Sequence, residues 1–136
     1  MSLIWILVMS LFGGLGPAPS GSEPAPPDGT SLVASWSQSE HETLGPEVVG
    51  PTVVIETEAD RDAFAARLPA EVPTGDLEAV DLSRHVVVAG GYPRCQEHSR
   101  VVETDRGYRL EVVDGDERVS CGWSPYTIDV WAVERS

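Results

Sequence analysis

Between residues 85 and 134 the chain passes through apolar, β-branched segments whose links are too short to carry a crossover helix. Parallel neighbours in one sheet need a connection of about a dozen residues or more, so these segments are expected to pair antiparallel. HVVVAGG (85–91) is continuously apolar and reads as a central strand buried on both faces. SRVVETD, GYRLEVV and ERVSCGW read as shorter strands. Asp105-Arg106-Gly107 and Asp114-Gly115-Asp116 between them read as hairpin turns, the second with the stronger Asp-Gly signal. YTIDVWAVE (126–134) alternates. Tyr126, Ile128, Val130 and Ala132 should face one way, and Thr127, Asp129, Trp131 and Val133 the other.

Upstream, EVVGPTVVI (47–55) reads as a strand interrupted at Gly50-Pro51. TEADRDAFAARLP follows as a short helix. Thr57 is placed to cap it, Asp60 completes an approximate capping box, and Pro69 ends it. Phe64 and Leu68 share one face at i, i+4. PAEVPTGD (69–76) reads as a loop of turn formers. The expected fold is β-rich α+β with mostly antiparallel sheet, or a β-sandwich, with one short helix near the start of a single domain at 47–136.

Residues 3–12, LIWILVMSLF, contain one polar side chain and are followed by Gly13, Gly14, Gly16 and Pro17. A helix needs about 20 residues to span a bilayer, so this run is too short to do so but fits the apolar core of a secretory signal. Ala18 and Ser20 supply small residues for a cut after Ser20, giving a signal peptide at 1–20. MSL contributes no arginine or lysine, and no cysteine follows for lipid attachment. The expected location is extracytoplasmic, secreted or periplasmic or at the cell surface, without a lipid anchor or stable membrane span. Residues 21–46 read as a spacer rich in proline, glycine and serine, whose second part (31–46) stays unassigned: Leu32, Val33 and Trp36 can pack, while the rest is polar.

Acidic residues number 22 against 9 basic ones, a net charge of −13. All the basic residues are arginines, and no arginine stripe offsets the spread of carboxylates. Such a surface repels phosphate backbones and anionic headgroups, which excludes nucleic acid as a partner.

The chemistry centres on GGYPRCQEHS (90–99). Cys95-x-x-His98 has the spacing of half a zinc site, with Cys121 and either His85 or His41 as further ligands, but no second ligand pair is present. A thiol–imidazole nucleophile would need Cys95 free and His98 within reach, and residues 95 and 98 point to opposite faces of a strand. A disulfide needs an even cysteine count and an oxidising compartment. The chain has 2 cysteines, Cys95 and Cys121, and a signal-like start. Bridging them closes a loop of roughly 26 residues, worth roughly 3.5 kcal/mol by chain entropy before strain is subtracted. The disulfide is therefore the favoured reading, with no cofactor, no metal and no catalytic residue.

Other features read as ordinary structure. Glu40-His41-Glu42 is a solvated loop before it is a metal clip, and Asp114-Gly115-Asp116-Glu117 lacks the alternating ligands of a calcium loop. Ser20, Ser35 and Ser124 lie in no nucleophile-elbow context, and Gly90-Gly91 opens no helix that would cradle a phosphate. Trp36, Trp123 and Trp131 fit core and rim packing before a binding face.

Residues 48–136 resemble the C-terminal domain of the PrcB type, named for an accessory protein of a bacterial surface protease complex. The resemblance rests on VVIETEADRDAFAARL followed by VDLSRHVVVA, then Gly90-Gly91-Tyr92, then Ser124-Pro125-Tyr126 leading into the last strand. It departs at Pro93, at the two cysteines and at the missing lipid-attachment cysteine. It implies a small, non-catalytic accessory or protein-binding domain, with a secreted protease complex as one candidate partner. A patch of Gly90, Gly91, Tyr92, Trp123 and Tyr126 is the expected contact surface, provided that the Cys95–Cys121 bond brings the two turns together. The alternatives are a zinc-binding protein using Cys95, His98 and Cys121, and a small protease inhibitor presenting the 91–100 loop.

Overall fold

The computed structural model describes residues 27–115 and 121–136. The signal-like stretch, the first residues of the spacer and residues 116–120, which include part of the Asp-Gly turn and of ERVSCGW, lie outside them. The elements in chain order are β1 (Thr30–Ser37), β2 (Val53–Ile55), α1 (Glu58–Arg67), α2 (Gly75–Glu78), β3 (His85–Pro93), β4 (His98–Thr104), β5 (Gly107–Val113) and β6 (Tyr126–Glu134). The fold is β-rich α+β. One sheet has the order β1-β6-β3-β2, β4 and β5 form a separate hairpin, and every pairing is antiparallel.

The two central strands, β3 and β6, are covered on both sides. Val87, Val88, Ala89, Ile128 and Val130 have no exposed surface. Val87, Ala89, Tyr126, Ile128 and Val130 pack with Trp36, Leu44, Phe64 and Leu77 on the helical side. Val86, Val88, Tyr92 and Val133 pack with Val101 and Leu110 from the hairpin on the other. HVVVAGG is thus the doubly buried strand its unbroken apolar run predicts, and it continues through Tyr92 and Pro93.

Local chemistry sets α1. Thr57 caps it by accepting from the Asp60 amide at 3.1 Å, and the Asp60 carboxylate accepts in return from the amides of Glu56 and Thr57. The Glu56 amide, foremost, holds the Asp60 carboxyl below its ordinary value; burial opposes it, and the Thr57 hydroxyl and amide add to the lowering. Phe64 and Leu68 turn inward as their spacing requires, and burying a side chain such as Phe64 is worth roughly 1.5–3 kcal/mol.

The structure departs from the sequence reading in four places. The unassigned segment contributes β1, which pairs along β6 from Thr30↔Val133 to Ser37↔Thr127, so the folded unit begins well before residue 47. Trp36, buried on the helical side, anchors it. Strand β2 is confined to Val53–Ile55, and the residues before it form turns that still bury Val48 and Val49. The proline-bearing loop ends in the single-turn α2, which seats Leu77 in the core. Residues 121–125 form no strand, consistent with the glycine and proline they carry.

Candidate functional site: the stapled loop and the buried carboxylate beneath it

β3 ends at Pro93, and the chain turns back into β4 through residues 94–97. Within that turn the Glu97 carboxylate accepts from the amides of Cys95 at 2.7 Å and Gln96 at 3.1 Å. The Cys95 amide is the main reason its carboxyl lies below the ordinary range. Cys95 is bonded to Cys121, with Cα atoms 5.9 Å apart. At the residue before Cys95, the Arg94 amide donates to the Pro125 carbonyl at 2.9 Å. Gly115 also approaches this turn, so closely that a Cβ there would lie 2.5 Å from the Gln96 carbonyl oxygen. The segment from Cys121 to the start of β6 is therefore tied at both ends, covalently at Cys121 and by backbone at Pro125.

Trp123 sits between those ties and is 60 % exposed. Its sequence neighbours Gly122 and Ser124 are exposed as well, and so are Pro93 and Arg94 where β3 passes into the 94–97 turn. An indole held out on a short, doubly anchored loop loses little conformational freedom when a partner covers it, which is the character of an interface anchor.

The other aromatic residues expected in the patch are elsewhere. Tyr92 is 3 % exposed and Tyr126 is 9 % exposed, so the exposed aromatic patch reduces to Trp123. Strand alternation is the physical reason: Tyr126 points to the helical side, where its hydroxyl donates to the Val49 carbonyl at 3.0 Å. Burial, and then the charge of Glu47, push its hydroxyl above its ordinary value. Gly91 leaves room for that ring, because a Cβ at Gly91 would lie 2.2 Å from the Tyr126 hydroxyl. Gly90, in turn, faces the hairpin side, where a Cβ would lie 2.2 Å from the Pro51 carbonyl oxygen. Gly91 and Tyr126 thus interlock on one face of the sheet, while Gly90 and Tyr92 are buried on the other.

Tyr92 belongs to a polar cluster that the sequence reading did not contain. Asp129, in the middle of β6 and 3 % exposed, accepts from the hydroxyls of Tyr92 at 2.8 Å and Ser99 at 2.5 Å through Oδ2. Its Oδ1 accepts from Ser35 at 2.6 Å. Ser99 in turn accepts from the Trp131 indole at 2.9 Å. Burial first, and then the bond to Asp129 and its charge, push the Tyr92 hydroxyl far above its ordinary value. Ser99 and Asp129, each less than a twentieth exposed, offer no surface to a substrate. The available signal was a lone carboxylate at the centre of an apolar strand bordered by a doubly buried one.

No family model, curated protein or solved structure matches this chain.

The remaining expectations sort by geometry. The disulfide removes both thiolates, which overturns the zinc reading based on Cys95, His98 and Cys121 as well as the thiol–imidazole pair. Among the described residues no group of three or more histidine, cysteine, aspartate or glutamate side chains converges as a metal site. His98 opens β4 as an exposed residue, and His85 places its Nδ1 3.3 Å from the Asp81 carbonyl oxygen. The 91–100 segment is mostly strand, leaving 94–97 as a tight turn rather than a long inhibitory loop. Among the described residues no helix is long and apolar enough to cross a membrane.

Proposed function

We propose that this chain is an exported, non-catalytic accessory domain that binds a protein partner through the disulfide-stapled loop bearing Trp123. The observation that carries the reading is the exposure of Trp123 on a segment fixed at Cys121 and Pro125. A covalent staple across the base of a contact loop suits an oxidising compartment, where such bonds persist. The acidic balance of −13 favours a partner with basic or neutral contact residues. The resemblance to the PrcB C-terminal type supports the accessory role and makes a secreted protease complex one candidate partner. The test is affinity capture from the extracytoplasmic fraction of the producing cell, comparing the native sequence with Trp123→Ala. The expected result is one protein retained by the first and lost by the second at unchanged melting temperature. Equal retention by both would remove Trp123 from the interface. Free thiols in the exported chain, found by alkylation and intact mass, would remove the staple.

A further inference from the structure

β1 forms one border of the four-stranded sheet and is paired only on its β6 side. Among the described residues no backbone group bonds to the other side of residues 31–36. Edge strands are commonly protected by charge or proline, because an open row of amides and carbonyls is a template for another strand. β1, TSLVASWS, carries neither, and its one irregularity lies between Leu32 and Ala34. Leu32 is 50 % exposed.

A groove of about 350 Å³ runs beside this border. Ala34, Ser35 and Trp36 line it together. Side chains of consecutive strand residues alternate between faces, so what these three share is the rim of the strand itself. Glu40, His41, Pro73 and Asp76 line the groove as well. The strand is neutral, while the groove lining carries the carboxylates of Glu40 and Asp76 beside the His41 imidazole.

We propose that this border takes up an extended, positively charged segment of a partner protein as a fifth strand. Main-chain hydrogen bonds to β1 would supply the affinity, and alternate side chains meeting the groove would supply the selectivity. Arginine or lysine in the added segment would meet Glu40 and Asp76. A second copy of this chain brings the same two carboxylates and a net charge of −13, so the charge distribution favours a basic segment over self-pairing. This surface is separate from the Trp123 loop, and neither proposal depends on the other.

The test pans a displayed library of random octapeptides against the full chain and against Glu40→Arg/Asp76→Arg. Both substitutions are at exposed positions. The expected winners on the native sequence alternate apolar residues with arginine or lysine, and winners on the reversed variant carry aspartate or glutamate. A synthetic native winner should shift the amide resonances of residues 31–36 and bind the reversed variant about tenfold more weakly, since two exposed attractions become repulsions. An enrichment of no peptide on either protein would overturn the proposal. So would equal affinity for the two proteins at matched melting temperature, or resonance shifts confined to residues 121–125. Concentration-dependent dimerisation abolished by Leu32→Lys would overturn it as well, by assigning the border to a second copy.

Discussion

The hydroxyl of Tyr92 is the sharpest probe of the buried cluster. Tyr92→Phe keeps the ring that packs with Val86, Val88 and Val101 and removes only the donor to Asp129. The carboxylate retains Ser99 and Ser35. A hydrogen bond to a charged acceptor contributes roughly 1.5–3 kcal/mol, so the variant should lose about 2 kcal/mol at neutral pH. A second effect appears in alkali. The folded state raises the hydroxyl's pKa, by burial first and by Asp129 next, so the neutral phenol is the form that the fold favours. Stability from this group is complete below the unfolded value of about 10 and is lost as pH rises toward the folded value, at about 1.4 kcal/mol per pH unit. Tyr126 shifts in the same direction, so the native protein should lose stability in alkali through both groups and the variant through Tyr126 alone. Urea unfolding followed by tryptophan fluorescence, at neutral pH and at a series of values above about 10, measures both quantities. A neutral-pH loss below about 0.5 kcal/mol together with an unchanged alkaline slope would refute the hydrogen bond as described.

Gly91→Ala should destabilise by roughly 1–3 kcal/mol, because its Cβ meets the Tyr126 ring; Tyr126→Leu in the same chain should recover part of that loss, and simple additivity in the melts would count against the interlock. Thr57→Ala should lower stability by about 1 kcal/mol through loss of the α1 cap. The reciprocal Asp60 contribution is present above the ordinary carboxylate value and fades as pH falls through its lowered folded value, so the helical signal should weaken in acid more in native protein than in Asp60→Ala. Replacing Cys95 and Cys121 together by alanine should cost up to roughly 3.5 kcal/mol in chemical denaturation, and an unchanged midpoint would mean that the bond restricts the unfolded chain very little.

Sequence order carried much of this architecture because the signals were local. Short links required antiparallel pairing, an unbroken apolar run marked β3, and Thr57 with Asp60 marked the start of α1. The β4–β5 turn was equally legible: Gly107 adopts φ +117°, a conformation that glycine enters without a side-chain clash. β1 was hidden because TSLVASWS mixes small polar and apolar residues, and its strand character comes from pairing with β6 rather than from its own propensity. The contact patch was only partly legible. The bond between Cys95 and Cys121 followed from the cysteine count and the signal-like start, but the direction of each aromatic ring follows from strand parity at the edge of a turn. Tyr92 and Tyr126 lie on opposite faces of one sheet, and both faces are covered. Asp129 was marked only as a lone carboxylate in an otherwise apolar strand, because the burial of its face depends on where the β4–β5 hairpin folds back, outside β6.

That carboxylate also constrains how the strands can be aligned. Its donors arrive from β1, β3 and β4, each from one residue of the strand that bears it. A slip of β1 by a single residue against β6 would turn Ser35 toward the helical side and leave Oδ1 without its donor. The same slip in β3 would carry Tyr92 away from Oδ2. Apolar side chains such as Val86, Val88 and Val101 distinguish such alternatives weakly, since one β-branched residue fills a neighbour's place at little cost. A buried acceptor left short of donors loses roughly 1–3 kcal/mol for each missing bond. Asp129 therefore works as a key for strand registration, penalising misaligned sheets that the greasy part of the core would accept.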